Sequence, residues 1–222
     1  MKADKDAKVK NNNRNNHPNH ALFLLKHTAD VILGFIFIIL FSPLFILIGM
    51  LVKLDSPGPV IFKQARLGKN FKNFQLIKFR TMDTEKFEMG NDGFLSNPEV
   101  LAEYSEFHKI VNDPRVTQTG KWLRRYSLDE LPQLFNVLSG KMSLVGPRPY
   151  NPEEVFEAGN FPGLILGMKP GMTGWWQVSG RNRLSFQERI ECDMYYINNW
   201  SIGLDMLILF KTIWVVAVGD GL

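Results

Sequence analysis

Residues 31–52 contain no charged side chain, and this stretch constrains the fold more than any other part of the chain. As an α-helix it would rise about 33 Å at ~1.5 Å per residue, enough to cross a hydrocarbon core of ~30 Å. It is longer than a signal-peptide core, and no small-residue cleavage site follows it. A buried helix of a soluble protein is the alternative, but the length and the absence of charge predict a membrane-embedded helix.

Two features bear on how this helix sits in the membrane. Pro43, which follows Ser42 in mid-stretch, removes a backbone donor and clashes with the preceding turn, so a kink or break is predicted. Both flanks are cationic, which fits a helix that returns to the same cytoplasmic face. Ordinary transmembrane helices also tolerate prolines, so re-entrant and spanning arrangements both stay open. The flanking cations are Lys26 before the stretch and Lys53, Lys63, Arg66, Lys69, Lys72, Lys78 and Arg80 after it.

The segments on either side of the apolar helix differ in character. Residues 1–20 are rich in Lys, Asn and His and predict a disordered tail. Apolar runs at 60–62 and 74–79 surround Leu67-Gly68-Lys69-Asn70 and predict a β-hairpin. Its alternating cations and phenylalanines fit nucleic acid or lipid headgroups. Beside a membrane helix the headgroups are favoured, and we expect no nucleic-acid partner.

Further along the chain, helices are predicted at about residues 99–110, 124–138 and 185–198. Residues 164–181, rich in Gly, Pro and Trp, predict a loop. Residues 204–218 are apolar but carry two charges, which indicates a helix in the membrane interface. Cys192 is the only cysteine, so an intrachain disulfide is excluded and a reducing compartment is the simpler reading.

Asp129 and Glu130 lie in the polar segment 124–133, and two interpretations apply to them. Ser127 and Glu130 fit the S-x-x-E capping box, a purely structural role, although Pro132 fits poorly so early in a helix. The same carboxylates could act in chemistry at a helix N-terminus that attracts phosphate. One would be a nucleophile toward phosphorus, and the other would hold Mg²⁺. The block alone leaves both readings open.

Two later blocks also suit phosphorylated ligands. Arg148 stands between Pro147 and Pro149, so its backbone is stiff and its guanidinium is pre-positioned for bidentate contact with phosphate, unless it is merely an exposed turn residue. Residues 169–182 combine glycines, which permit close backbone approach, with two tryptophans. The chain contains no phosphate-binding P-loop, no G-x-G-x-x-G and no H-E-x-x-H, so nucleoside-triphosphatase, dinucleotide-dependent and zinc-protease chemistry find no support.

Taken together, these blocks resemble the monotopic phosphoglycosyl transferase family of bacterial sugar transferases over nearly all of residues 26–222. Any one block would be a weak signal, but eight in the same order are specific. Residues 83–112 match poorly and are assigned no role. The matching blocks are Ser42-Pro43 and residues 55–64, 78–82, 113–117, 127–137, 143–149, 170–182 and 193–196.

The resemblance implies a reaction. Asp129 would attack the sugar-bearing phosphate of a UDP-sugar and release UMP, after which polyprenyl phosphate would take the phosphosugar and so begin exopolysaccharide, capsule or O-antigen type assembly. Glu130 would hold Mg²⁺, and the apolar helix would be re-entrant, broken at Ser42-Pro43. The matched phosphate and nucleotide contacts are Lys78, Arg80, Arg124, Arg148, Arg181 and Asp193.

The expected fold is α+β and helix-dominated, with a re-entrant membrane helix, a compact catalytic domain, a small β-hairpin and interfacial helices. The expected regions are a tail at 1–20, the membrane helix at 21–55 and the catalytic domain at 56–222, on the cytoplasmic face of the bacterial inner membrane. A homodimer is compatible with the sequence. The sequence of residues 176–181 resembles that of transferases that use UDP-glucose or UDP-galactose, but it does not identify the sugar. An idle scaffold and a Mg²⁺-dependent diphosphate hydrolase are the alternative functions.

Overall fold

The computed structural model describes residues 20–83, 97–107, 110, 113–157 and 162–219. The predicted tail, apart from His20, and most of the poorly matching segment 83–112 lie outside these residues. The described chain is helix-dominated, as predicted, with small sheets. The helices are α1 His20–Asp55, α2 Pro98–Phe107, α3 Gln118–Arg125, α4 Gln133–Leu138, α5 Pro152–Glu157, α6 Pro162–Ile165, α7 Trp175–Ser179, α8 Phe186–Asn198 and α9 Ile202–Val218. The strands are β1 Ile61–Leu67, β2 Asn73–Phe79, β3 Ser143–Val145 and β4 Gly171–Thr173.

Helix α1 contains the apolar stretch and continues without interruption through Pro43. The predicted break at Ser42-Pro43 is therefore wrong for this structure, whereas the kink that was its alternative stays a prediction. A hydrogen bond of the serine accounts for the continuity. Proline lacks the N–H that would bond the carbonyl of Ile39, and the Ser42 hydroxyl donates to that carbonyl instead, at 2.8 Å. Among the described residues, α1 is the one helix long and apolar enough to cross a membrane.

One face of α1 packs along the rest of the protein from one end of the helix to the other. Its buried residues are Lys26, Asp30, Gly34, Ile48 and Val52. A side chain at Gly34 would meet Val137 and Leu138 of α4, so the glycine permits the two helices to approach. The opposite face exposes a large apolar surface that no described residue covers. Its members include Leu25, Ile32, Phe35, Ile36, Ile39, Leu40, Ile46, Leu47, Met50, Leu51 and Leu54.

The predicted β-hairpin is confirmed. Strands β1 and β2 are antiparallel, with Ile61 opposite Phe79 and Leu67 opposite Asn73. The turn uses Asn70 at φ 58°, a left-handed conformation that asparagine tolerates better than most residues. Phe74 and Leu76 lie on one face of β2 and join the main core, whereas Phe79 lies on the other face and packs with Val52 of α1.

A second, parallel pair of strands was not predicted. Residues 164–181 were expected to form a loop, and this expectation is wrong in part, because β4 and α7 lie within them. Strand β4 pairs with β3 through Ser143–Gly171 and Val145–Thr173. A Cβ on Gly171 would lie 2.1 Å from the backbone nitrogen of Gly146, so the glycine is required where the two backbones meet.

The last two predicted helices are confirmed within a few residues, as α8 and α9. Helix α8 begins with a capping box in which Ser185 and Glu188 exchange hydrogen bonds. The main core lies between β2, α4, β3 and the last two helices, and includes Leu134, Val137, Met142, Tyr196 and Ile208. This core holds α4, and with it the preceding acidic turn, against the hairpin.

Candidate active site

Asp129 and Glu130 lie in a short 3₁₀ turn, Leu128–Glu130, between α3 and α4. The turn begins at Ser127, which has φ 55° and makes no capping hydrogen bond to the turn. The capping box predicted for Ser127 and Glu130 is therefore wrong, because the left-handed backbone turns the hydroxyl away from the following N–H groups. The hydroxyl instead accepts a hydrogen bond from the guanidinium of Arg181.

The acidic turn lines a cavity of about 510 Å³ between the hairpin, α3, and the loops around β3 and β4. Asp129 is buried, with 7% of its surface exposed. The cavity thus brings together both predicted catalytic carboxylates and all five cations among the six predicted contacts. The predicted residues that line it are Lys78, Arg80, Arg124, Asp129, Glu130, Arg148 and Arg181.

Lys78 of β2 and Arg124 of α3 form the cationic wall nearest Asp129. Burial lowers the pKa of both side chains, and attraction to the Asp129 carboxylate opposes this lowering. The Nε of Arg124 donates to the hydroxyl of Thr81 at 2.9 Å, which fixes the direction of its guanidinium. Two elements that are distant in sequence therefore place positive charge beside the carboxylate predicted to be the nucleophile.

Glu130 differs from an ordinary surface carboxylate. Burial and repulsion from Asp129 raise its pKa to about 7, while attraction to Arg181, Lys78 and Arg148 works in the opposite direction. A carboxyl with a pKa near 7 changes protonation state in the physiological range. A cation bound beside it would stabilise its charged form, since a carboxylate must be deprotonated to act as a ligand.

A second cationic wall lies around Trp176 of α7. The guanidinium carbons of Arg148 and Arg189 lie 5.5 Å and 5.4 Å from the centre of its ring. Arg148 also donates to Glu154 at 2.9 Å, and Arg66 donates to the other oxygen of Glu154 at 3.3 Å. Burial and repulsion from Arg148 lower the pKa of Arg66 and Arg189 to about 10. The arginines crowd each other around a single carboxylate.

Several donors in this wall have no hydrogen-bond partner within the described part of the chain. A buried N–H without a partner costs about 1–3 kcal/mol, so a cluster of such donors at a cavity indicates a site for acceptor groups of a ligand. Phosphate oxygens are acceptors that guanidinium groups bind through strong, often bidentate, charge-assisted hydrogen bonds. The donors are the Nε atoms of Arg66 and Arg148, Nη1 of Arg181, Nη2 of Arg189 and Nε1 of Trp176.

Two predicted contacts have other partners in the structure. Arg80 is 4% exposed, and its guanidinium donates to the carbonyls of Val52, Ser56 and Pro57, so it holds the end of α1. Asp193 is fully buried and accepts from the Arg148 N–H at 3.0 Å and from the Tyr150 hydroxyl at 2.7 Å. Asp193 does not line the cavity and positions the backbone of Arg148. Burial raises its pKa to about 7.

Sequence reasoning missed several charged residues of the cavity, among them Arg66, Glu154 and Arg189. Arg66 was counted among the cations that follow the apolar stretch, and Arg189 was one polar residue within a predicted helix. Neither lies in a motif with a recognised chemistry, so only the packing of β1 and α8 against the loop of Arg148 could reveal them.

The donor set fits a magnesium ion held jointly with a substrate. The described residues contain no group of three or more His, Cys, Asp and Glu side chains that could hold a metal. Mg²⁺ is commonly bound by one or two carboxylates together with substrate phosphates and water. Glu130, next to Asp129 and among phosphate-binding cations, matches this pattern.

An apolar helix with one exposed face and a basic cavity with two adjacent carboxylates fit an enzyme that handles phosphorylated substrates at a membrane. Comparison with known proteins gives the family. Residues 21–219 match bacterial sugar transferases, and the chain belongs to this family. The resemblance described above, to bacterial polyprenyl-phosphate sugar-phosphate transferases, is thereby confirmed.

Three curated relatives illustrate the match. The exopolysaccharide production protein ExoY of Rhizobium meliloti is 42% identical over 198 residues, which cover 89% of this chain and 88% of ExoY. The undecaprenyl-phosphate galactose phosphotransferase of Salmonella typhimurium is 42% identical over 94% of this chain and 44% of its own length. The UDP-glucose:undecaprenyl-phosphate glucose-1-phosphate transferase of Escherichia coli is 40% identical over 86% and 39%. The chain thus spans less than half of these two phosphotransferases.

Proposed function

We propose that this protein transfers a sugar 1-phosphate from a UDP-sugar to polyprenyl phosphate through a phosphosugar bound covalently to Asp129. The observation that carries the proposal is the pair of adjacent carboxylates in a cavity that is also lined by arginines with unpartnered donor nitrogens. The printed names of two relatives, which describe sugar-phosphate transfer to undecaprenyl phosphate, support the substrate classes. Neither the cavity nor the names of these relatives identifies the sugar or the glycan pathway.

In the first step, an Asp129 carboxylate oxygen forms a bond to the sugar-bearing phosphorus. The bond from that phosphorus to the bridging oxygen breaks, and UMP leaves with the electron pair. Lys78 and Arg124 offset the charge of the phosphoryl oxygens as a carboxylate approaches a diphosphate. Mg²⁺ held by Glu130 and the diphosphate would further neutralise negative charge.

In the second step, a phosphate oxygen of polyprenyl phosphate attacks the same phosphorus. The bond from phosphorus to Asp129 breaks, the carboxylate is restored, and a polyprenyl diphosphate sugar leaves. Because the two phosphates react in turn, the arginine wall of Arg66, Arg148 and Arg189 can serve both without holding them together.

We further propose that the protein is monotopic, with its catalytic domain on the cytoplasmic face. Lys26 near the start of α1 bonds Asp205, and Val52 near its end packs in the core, so both ends of the helix contact the same domain. A helix that crossed a ~30 Å hydrocarbon core and left the domain would lose one of these contacts. The exposed apolar face of α1 would then lie in the lipid.

The decisive experiment is a single-turnover assay on the purified full chain with Mg²⁺ and a panel of UDP-sugars, without lipid. We expect intact-mass spectrometry to show one added phosphosugar, with about one UMP released per enzyme. Asp129→Asn is expected to form no adduct. Glu153→Gln, an exposed carboxylate outside the cavity, is the control and is expected to react normally.

Two results would contradict the proposal. Retained turnover in Asp129→Asn would exclude Asp129 as the nucleophile. Release of free sugar phosphate without lipid, with no adduct, would make the protein a diphosphate hydrolase. Addition of polyprenyl phosphate to the isolated adduct is expected to discharge it.

A further inference from the structure

A second cavity, of about 220 Å³, lies at the start of α1 and shares no lining residue with the cavity of Asp129. We call it the anchor pocket. Three lysines and two histidines line it, against a single carboxylate, that of Asp30. The pocket immediately precedes the charge-free residues 31–52. If those residues lie in the hydrocarbon, the pocket lies at the depth of the lipid headgroups.

The single carboxylate that lines the anchor pocket, that of Asp30, already accepts hydrogen bonds from the protein. Asp30 accepts hydrogen bonds from the Ser143 hydroxyl at 2.6 Å and the Leu144 N–H at 3.2 Å. The nearest lysine, Lys26, is bound to Asp205 at 2.6 Å, outside the pocket lining. Lys69 and Lys169 therefore remain as cations whose charge no lining carboxylate pairs within hydrogen-bond distance.

Lys169 is also held in place. Its Nζ lies within hydrogen-bond distance of the His27 ring, 3.2 Å from Nδ1. Burial lowers its pKa, attraction to Asp30 opposes this, and repulsion from Lys69 and Lys26 adds to it. An anion in the pocket would attract the lysine ammonium groups and so offset the repulsion among them. The arrangement therefore favours an anionic ligand.

The remaining walls are apolar and rigid. Phe23, Leu24 and Met168 line the pocket. Phe23 stacks on Trp200 with ring centres 4.5 Å apart and planes 1° apart, and Lys69 Nζ lies 5.9 Å from the centre of the same Phe23 ring. A ligand that contacts both the lysines and these walls must carry an anionic head and an apolar tail.

We propose that the anchor pocket binds the phosphate headgroup of an anionic phospholipid, with Lys69 and Lys169 on the phosphate and Phe23, Leu24 and Met168 on the adjoining carbons. Polyprenyl phosphate has the same chemistry, but its reacting phosphate must reach Asp129 in the other cavity. The anchor pocket thus fixes the depth of α1 in the membrane and does not take part in phosphate transfer.

The test is native mass spectrometry of the detergent-solubilised full chain with added phosphatidylglycerol or phosphatidylcholine. We expect one phosphatidylglycerol to be retained at a concentration at which phosphatidylcholine is not. A lysine near an anionic headgroup contributes about 1 kcal/mol, so Lys69→Ala should weaken retention about fivefold and Lys69→Ala with Lys169→Ala about thirtyfold. Lys72→Ala with Lys121→Ala, exposed lysines outside the pocket, is the matched control.

Lys69→Ala alone keeps the test valid if the double variant fails to fold, because Lys69 is exposed and its ammonium lies over the Phe23 ring at the surface. Equal retention of the two lipids, or unchanged retention in Lys69→Ala, would overturn the proposal. Displacement of phosphatidylglycerol by millimolar inorganic phosphate would assign the pocket to free phosphate instead. None of these readouts depends on transferase activity, so the proposed function and this proposal can fail separately.

Discussion

Two groups of buried charges in this protein differ in how far their hydrogen bonds are satisfied. In the first, which joins α1 to the domain, Lys26 bonds Asp205, and Asp205 also accepts from the Tyr196 hydroxyl at 2.7 Å. No side-chain nitrogen or oxygen of these residues is among the described buried atoms that lack a partner. In the second, around Asp129 and Trp176, an unpartnered nitrogen remains on each of Arg66, Arg148, Arg181 and Arg189.

The difference separates architecture from function. A satisfied buried ion pair is costly to break from one side, since the remaining charge stays buried alone. An unsatisfied cluster is tolerated at a cost in stability, and a ligand that supplies the missing acceptors recovers that cost as binding free energy. We therefore expect substitutions in the first group to affect mainly folding, and substitutions in the second to affect mainly activity.

The largest effect is expected from Lys26→Met. This change leaves Asp205 buried without its cation, and removing one partner of a buried pair costs about 3–5 kcal/mol. Denaturant unfolding of the detergent-solubilised protein would measure it. Lys26→Met with Asp205→Leu should recover most of the loss, and Lys121→Met on the surface should be neutral. A decrease in the free energy of unfolding of less than about 1 kcal/mol would show that this ion pair does not hold α1 to the domain.

Next in size is the effect of Arg189→Gln on the other group. Its unpartnered Nη2 and its position over Trp176 predict a contact with substrate phosphate, so kcat/KM should fall about tenfold to a hundredfold. The melting temperature should change little, because relief of repulsion from Arg148 offsets the lost contacts. Arg125→Gln, an exposed arginine on α3, is the control. Equal losses of stability and activity would place Arg189 with the structural group.

The dependence of activity on Mg²⁺ should itself depend on pH. Glu130, with a pKa of about 7, is protonated below that value and cannot act as a metal ligand. The apparent affinity for Mg²⁺ should therefore fall about tenfold per pH unit below 7 and level off above 8. Asp193 is the other carboxyl with a pKa of about 7, but it lies outside the cavity lining. Asp193→Asn should therefore leave the pH dependence of the Mg²⁺ affinity unchanged. A flat profile would remove Glu130 as the ligand.

The smallest effect concerns stability. The folded-state pKa of Glu130 is raised, so the folded protein holds this proton more tightly than the unfolded chain does. The ionised carboxylate therefore costs stability above its ordinary pKa of about 4.5, and the full cost is present above about 7. Glu130→Gln should raise the melting temperature at pH 8 by several degrees and make no difference at pH 4. A lower melting temperature at pH 8 would mean that the carboxylate stabilises the empty site.

Much of the site was predictable because it is local in sequence. Asp129 and Glu130 are adjacent, Arg148 stands between two prolines, and these blocks carry the resemblance to the family. Arg66 and Arg189 are 123 positions apart in the chain, yet both line the cavity beside Arg148. No periodicity or motif connects them, because their proximity arises from the packing of β1 and α8 around one loop.

The errors have the same origin. Ser127 matched a capping box, but tertiary contacts hold its backbone in the left-handed region, and its hydroxyl bonds Arg181, 54 residues later. Pro43 predicted a break, but the hydroxyl of the neighbouring serine satisfies the carbonyl that the proline leaves open. In both cases the local pattern did not predict the structure, because it takes no account of a particular hydrogen-bond partner: Arg181 for Ser127, and the Ser42 hydroxyl for the Ile39 carbonyl.

The sequence by itself determined the apolar helix, the hairpin, the carboxylate pair and the family, because charge-free length, alternation and adjacent motifs are properties of short segments. Only the tertiary structure decided which charges are partnered and which are left for a ligand. Lys26 reads as a membrane flank and is half of a buried ion pair, whereas Arg189 reads as an ordinary helix residue and faces the cavity. The physical reason is that a buried charge is defined by its surroundings, and those come from parts of the chain that only folding brings together.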